Sequence, residues 1–236
     1  MKELKLNLKE LAAKKALEYV QSGMVLGLGT GSTTAYFVDG LGELLKQGTL
    51  SDIQGVPTSN AAAERAVRAG IPLTTLYEHP RLDLAVDGAD EVDVKLNLIK
   101  GLGRALLREK IVEMHAERFV VIVDESKFVK RLGSRGPLPV EIVQFEANAT
   151  TRWLSTLGCR AELWLENNGS PVITDNGNFL VRCWFNENPN NGILDPYSLA
   201  EELAHRPGIV EHGLFLDMVD QVIVAAESGI QLLNVD

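Results

Sequence analysis

Three short stretches carry residues whose types and spacing suit chemistry on a small anion. In VLGLGTGSTTAYF (residues 25–37) an apolar run delivers Gly27, Gly29 and Gly31, with Thr30, Ser32, Thr33 and Thr34 among and after them. Backbone N–H groups in a glycine turn that opens a helix have no internal acceptor. With the helix dipole they favour a phosphate. The hydroxyls of Thr30, Ser32 and Thr33 add donors; the plainer reading is a tight strand-to-helix turn with a capping hydroxyl.

In AVDGADEVD, Asp87 leaves an apolar run, Gly88 permits a sharp turn, Ala89 follows, and Asp90 stands three residues after Asp87. Paired carboxylates divide acid and base work when their surroundings separate their pKa values. They also suit a hydrated Mg²⁺ or a simple turn and cap. His79 and His115 stand at no ligand spacing to them. In IKGLGRALLREK, Lys100 leaves a buried run, Gly101, Leu102 and Gly103 form a second turn, and Glu109 lies on the helix that follows. Lys127, in DESK, is a second candidate cation.

The first turn is not a dinucleotide loop. In the G-x-G-x-x-G frame the third position is Ser32, and the next strand ends in Val56-Pro57-Thr58 where an acidic ribose ligand is expected. No lysine follows Gly31 as a P-loop requires. The same missing acid weighs against the S-adenosylmethionine-dependent methyltransferases, whose glycine motif VLGLGTGS also resembles. A smaller phosphate ester fits better.

The elements that must position these groups follow from periodicity. Residues 7–22 read as an amphipathic helix capped by Asn7. MVLGLG, IQGVP, LDLAV, LNLI and FVVIVD read as buried strands alternating with helices, which implies a parallel sheet with helical crossovers. In such a sheet the strands' carboxyl ends share one edge, so GTGST, DGAD, KGLGR and DESK are expected to gather there. From about Gly133 the order becomes β-α-β-β-α-β: LPVEIVQF, ATTRWLSTLG, RAELWLE, NFLVRCWF, DPYSLAEELAHR with Asp195 as cap, and GIVEHGLFL. That is the ferredoxin-like split pattern. DQVIVAAESGI reads as a strand returning to the main sheet. The expected fold is α/β: residues 1–133 and 215–236 form a larger domain with a mostly parallel sheet, and 134–214 an inserted smaller α/β domain.

Composition narrows the partners. Asp and Glu outnumber Lys and Arg by 32 to 23, giving a net charge of -9, which argues against nucleic acid or an anionic membrane as the main partner. Cys159 and Cys183 form neither a disulfide framework nor a zinc pattern. The charged opening MKELKLNLKELAAKK is no signal peptide, and no apolar run approaches a membrane span. A cytoplasmic location is the expectation.

Taken together, GLGTGSTTAYF, AVDGADEVD, LIKGLGRALLREKIV, VDESKFV and LGSRGPLPVEIVQF, with TDNGNFLV and ILDP further on, closely resemble type A ribose-5-phosphate isomerases over essentially the whole chain. The resemblance implies a Rossmann-like domain carrying a smaller α/β domain, and a homodimer or homotetramer. It also implies interconversion of ribose 5-phosphate and ribulose 5-phosphate in the pentose phosphate pathway, without metal or organic cofactor. The family's general base matches Glu109. Its substrate contacts match Thr30 to Thr33, Asp87 to Asp90, Lys100 to Gly103, and Lys127; Lys9 matches a further lysine near the substrate. The chain departs from the family's KGGG pattern at Leu102, and Arg104 stands where a small residue is usual. Within that resemblance, Lys100 is expected to stabilise an enediolate oxygen, and Asp87 and Asp90 to hold hydroxyls and relay protons. A sugar-phosphate sensor on a related fold is the non-enzymatic alternative. Such sensors carry a DNA-binding segment, and no helix-turn-helix precedes residue 25.

Overall fold

The computed structural model describes residues 7–187 and 191–234; the first six residues of the charged opening lie outside them. The helices are α1 (Leu8–Leu17), α2 (Ser32–Lys46), α3 (Asn60–Arg68), α4 (Leu106–Glu113), α5 (Ala147–Leu154) and α6 (Pro196–Ala204). The strands are β1 (Val25–Leu28), β2 (Gln54–Pro57), β3 (Leu84–Asp87), β4 (Glu91–Val92), β5 (Leu98–Ile99), β6 (Phe119–Asp124) and β7 (Leu138–Ile142), followed by β8 (Arg160–Leu163), β9 (Phe179–Trp184), β10 (Ile209–His212), β11 (Leu214–Phe215), β12 (Gln221–Ala226) and β13 (Gly229–Asn234). The chain divides into two compact units. One comprises Met1–Ala89, Ile111–Lys127 and Met218–Asp236, the other Asp90–Lys110 and Phe128–Asp217.

The first unit is built on a six-stranded sheet in the order β13-β12-β6-β3-β1-β2. Its pairings are parallel except for the closing β12–β13 hairpin. The strands β1, β3, β6 and β12 are short, mostly apolar and buried, as two-sided coverage demands, whereas the closing strand β13 is mostly exposed. Leu26, Leu28, Val86, Val120, Ile122 and Ile223 share a core with Ala12, Ala13 and Ala16 of α1 and with Phe37, Val38 and Leu41 of α2. The alanine face of α1 lets that helix lie close on its neighbours. Asn7 caps α1 by accepting the Glu10 N–H, and the helix ends at Leu17, short of the expected residue 22. β1 has β2 on one side and β3 on the other. The direction of winding therefore reverses beside β1, where ligands of open α/β sheets bind.

In the second unit, β7-α5-β8-β9-α6-β10 forms an antiparallel sheet in the order β10-β7-β9-β8. This is the ferredoxin-like pattern. Its core joins Val140, Ile142, Leu154, Val181, Leu199 and Leu203. Asp195 caps α6 through the N–H groups of Tyr197 and Ser198, with Pro196 in the first position.

The expectation for LNLI is overturned. LNLI does not supply a strand to the parallel sheet. Only Leu98 and Ile99 are extended, and β5 pairs antiparallel with β4 and β11 in a separate three-stranded sheet of the second unit. Leu96, just before it, takes the left-handed conformation (φ 63°), which reverses the chain after β4 and forbids a longer strand. KGLGR thus follows a strand of that small sheet, not of the six-stranded one. Among the described residues no helix is long and apolar enough to cross a membrane.

Candidate active site

The candidate residues fall into two groups, one in each unit. In the first unit, β1 ends at Leu28 and the chain turns through Gly29, Thr30 and Gly31 into α2. Gly31, at φ 135°, is the cap residue and offers no side chain to the helix's first turn. The first N–H groups of α2 therefore have no intrahelical acceptor, and Ser32 and Thr33 stand beside them. The turn is anchored from below. The Thr30 hydroxyl lies 2.7 Å from the Thr58 hydroxyl and donates to Ser59 Oγ at 2.8 Å. Where a dinucleotide fold keeps its acid after the second strand, this chain has two hydroxyls that grip the turn. Lys9 Nζ donates to Ser32 Oγ at 2.7 Å, which brings the candidate lysine of α1 onto the turn.

Asp87, at the end of the neighbouring β3, is buried. Its Oδ1 accepts the Thr30 N–H at 3.1 Å and the Gly88 N–H at 2.6 Å. The carboxylate thus ties the two turns together, and charge-assisted bonds of this kind contribute about 1.5–3 kcal/mol each. Gly29 makes room for it, since a Cβ there would stand 2.2 Å from Asp87 Cγ. Gly29→Ala is therefore expected to push Asp87 off both N–H groups. Overpacking of this kind costs about 1–3 kcal/mol, read as a lower midpoint in urea, with KM for a phosphate ester rising. Lys127 ends a 3₁₀ turn (Glu125–Lys127) after β6, half-buried. It makes no hydrogen bond or ion pair with the other candidates among the described residues.

In the second unit, Lys100 and Glu109 are each 2% exposed. Lys100 Nζ stands 3.8 Å from Glu109 Oε2. β5 delivers Lys100, whose own N–H donates to the Gly213 carbonyl at 2.9 Å. Glu109 lies in the first turn of α4. The Phe215 ring, fully buried, lies 5.5 Å from Lys100 Nζ and 4.7 Å from Lys110 Nζ. A desolvated ammonium over an aromatic face gains about 2 kcal/mol. Asp90 Oδ2 accepts the Leu102 N–H at 2.9 Å. The departure from a glycine at Leu102 is thus served by backbone alone, and that side chain is exposed. Arg104 adopts a left-handed conformation (φ 68°). Its guanidinium pairs with both oxygens of Glu166 and lies 5.2 Å from the Trp164 ring.

A supporting cluster surrounds Lys110. Lys110 donates to Glu211 Oε1 at 2.7 Å and to the His212 carbonyl at 2.8 Å. Burial pushes the Glu211 carboxyl up, but the Lys110 ammonium together with the His212 N–H and imidazole leaves it lowered. Burial, with Lys110 beside it, pushes the His212 imidazole down to about 4, which Glu211 only partly offsets. The Leu214 N–H donates to His212 Nδ1 at 3.3 Å, a bond only the unprotonated nitrogen accepts. An unfolded chain protonates this ring near pH 6.5, whereas the folded chain resists until about pH 4. The contribution of His212 to stability is therefore complete above pH 6.5 and is lost as pH falls toward 4, by up to roughly 3 kcal/mol. His212→Gln is expected to flatten this part of the stability–pH curve in urea titrations between pH 7 and 4. An unchanged slope would show that other groups set it.

Among the described residues no group of three or more His, Cys, Asp or Glu side chains is placed to hold a metal ion. The structure thus joins Lys9, Thr30, Ser32, Asp87 and Gly88 in one unit, and Asp90, Lys100, Leu102 and Glu109 in the other. Sequence reasoning did not find Phe215, Glu211 or Lys110 as supports. The signal for Glu211 and Phe215 was the run EHGLF, whose glycine and phenylalanine follow two polar residues, while Lys110 directly follows Glu109.

Comparison with known proteins points one way. The family model of Ribose 5-phosphate isomerase A (phosphoriboisomerase A) matches residues 54–229. The chain is 50% identical to a probable ribose-5-phosphate isomerase 2 of Arabidopsis thaliana, over 96% of this chain and 86% of that protein. It is also 50% identical to a ribose-5-phosphate isomerase A of Roseiflexus castenholzii, over 93% of this chain and 92% of that protein. Among solved structures, a D-ribose-5-phosphate isomerase in complex with phospho-erythronic acid superposes with a TM-score of 0.92 at 46% identity, covering 97% of this chain and all of that one.

Proposed function

The chain belongs to the ribose 5-phosphate isomerase A family, and on that premise we propose how its residues divide the interconversion of ribose 5-phosphate and ribulose 5-phosphate. The observation that carries the assignment is the buried Lys100–Glu109 pair. Aldose–ketose isomerisation moves a proton between carbon 2 and carbon 1 through an enediolate. It requires a base that removes and returns that proton, a cation for the oxygen that becomes anionic, and an anchor for the phosphate.

Glu109 is the base. When its carboxylate takes the proton from carbon 2 it loses its charge, while negative charge appears on the substrate oxygen. Lys100 then exchanges one anionic partner for the other. Its ammonium is already desolvated and held by Phe215, so little reorganisation accompanies the charge shift. The turn Thr30–Thr33 anchors the phosphate, with Lys9 and Lys127 adding positive charge. Support comes from the uncapped α2 terminus and the Lys9–Ser32 bond. Asp87 and Asp90 hold sugar hydroxyls and relay the oxygen-bound proton, including in ring opening. Gly88, Ala89, Gly101, Leu102 and Gly103 contribute backbone. Phospho-erythronic acid, the ligand of the related structure, is a sugar-acid phosphate, consistent with a sugar phosphate as the ligand here.

A homodimer or homotetramer belongs to the same reading. Its support in the second unit is two large apolar side chains, Phe145, 82% exposed, and Ile173, 61% exposed, whose burial against a second copy would be favourable. A cytoplasmic location is also proposed, supported by two free thiols.

The test is direct. Purified protein is incubated with ribose 5-phosphate in EDTA, and ribulose 5-phosphate is followed. Steady formation of the ketopentose is expected. Reversible loss of activity in EDTA would instead call for a metal, and saturable binding without product would favour a sensor.

A further inference from the structure

We propose that Glu141, in the middle of β7, is a positioning residue for Glu109, acting through the segment 174–178 and Arg108. The proposal rests on the base role assigned above to Glu109. Glu141 has no exposed surface. Its backbone is fixed on both sides, opposite Leu180 of β9 and Glu211 of β10. A single oxygen, Oε1, accepts three bonds: from Thr174 Oγ1 at 2.9 Å, Asn178 Nδ2 at 2.8 Å and Asn176 Nδ2 at 3.2 Å. All three donors come from the five residues TDNGN. That segment also closes on itself, with the Gly177 N–H donating to the Thr174 carbonyl and the Thr174 N–H to that of Asn178. The carboxylate is thus the centre around which a tight turn is wound.

Asn176 uses both ends of its amide. Nδ2 meets Glu141, and Oδ1 accepts Arg108 Nε at 2.8 Å. The same guanidinium donates to the Asp175 carbonyl at 2.8 Å and stands 3.5 Å from Asp175 Oδ2. A rigid fork therefore reads a rigid turn. Arg108 immediately precedes Glu109 in α4, and successive helical side chains leave the axis about 100° apart. Fixing the azimuth of Arg108 fixes the direction in which Glu109 leaves the helix.

The chemistry of Glu141 favours this role over a merely local one. Its partners among the described residues are three neutral donors, and its Oε2 has no hydrogen-bond partner there. Burying a carboxylate costs far more than burying an amide or hydroxyl. A surface turn of five residues can be closed by its own backbone. What the charge adds is stiffness, because bonds to an ionised acceptor are shorter and stronger.

The test compares kcat, KM, the pH profile of kcat/KM and thermal melting for Asn176→Ala, Arg108→Ala, Glu141→Ala and Glu141→Gln, with Glu109→Gln as reference. Asn176→Ala is expected to lower kcat about tenfold or more, since small misplacement of a reacting group is costly. KM should stay within about twofold and melting near wild type, and the acid limb of the pH profile should move. Asn176→Ala combined with Arg108→Ala should lose no more than the worse single change. Glu141→Gln, which keeps the acceptor oxygen, should retain more turnover than Glu141→Ala. If Glu141→Ala does not fold, the Asn176 and Arg108 variants still decide. Wild-type kcat and pH profile in Asn176→Ala beside an inactive Glu109→Gln overturns the positioning role and leaves the base in place. A kcat loss that merely tracks lost thermal stability overturns it equally. Wild-type turnover in Glu109→Gln removes the base role and this inference with it.

Discussion

Glu109→Gln is expected to bind ribose 5-phosphate much as the unaltered protein does and to turn it over about 10²–10⁴-fold more slowly, the usual contribution of a positioned base. The amide matches the carboxylate in size, so the 2% exposed position stays filled. It accepts no proton at neutral pH, so carbon 2 keeps its hydrogen. The change also removes the negative partner 3.8 Å from Lys100. Removing one member of a buried pair destabilises by about 3–5 kcal/mol, and the variant should be checked for native near-ultraviolet circular dichroism before its rate is read. Steady-state kinetics in both directions, with deuterium at carbon 2 followed into solvent, measures the effect. Near-normal turnover, or undiminished deuterium exchange, removes Glu109 from the base role.

Lys100→Ala is expected to lower kcat about 10²–10³-fold, the size of effect seen when one preorganised partner of a developing oxyanion is deleted. KM should change much less, because the charge that Lys100 meets exists only as the enediolate forms. A change confined to KM would make it a ground-state binding residue instead. Lys100→Arg should fare no better. The lysine's ammonium lies between Glu109 and Phe215, and a planar guanidinium needs room that a buried position of this kind does not give.

Much of this was legible in the residues because local signals agreed with the fold. The buried runs VLGL, LAVD and FVVIVD became β1, β3 and β6, and Asn7 and Asp195 cap α1 and α6 as their types suggest. The split β-α-β-β-α-β order is likewise present. Two of the errors come from pairing between distant segments. LNLI reads as an ordinary buried strand. Its antiparallel place beside β11 depends on residues more than a hundred positions later. GIVEHGLFL reads as one strand but breaks at Gly213, where a Cβ would lie 2.2 Å from the Lys100 carbonyl. The chain that makes room for Lys100 thus cannot continue β10 unbroken. The hairpin strand β13 was missed because GIQLLN follows a turn at the chain's end with a weak alternating pattern. In the candidate site, residue types named the groups that do chemistry. They did not name what holds them, since Phe215, Glu211 and Ser59 act through contacts that no local spacing encodes.

The pairing of β5 with β11 also bears on when activity can first arise during synthesis. Lys100 and Glu109 are nine positions apart and emerge from the ribosome almost together. The Gly213 carbonyl that fixes the Lys100 backbone and the Phe215 ring beside its ammonium follow more than a hundred residues later. In the other unit β6 finishes its pairing only when β12, residues 221–226, arrives. Loop-closure entropy must be met before such distant contacts stabilise anything. A nascent chain stalled before about residue 215 therefore holds every group proposed for the chemistry, yet cannot bury the lysine that the reaction needs dry.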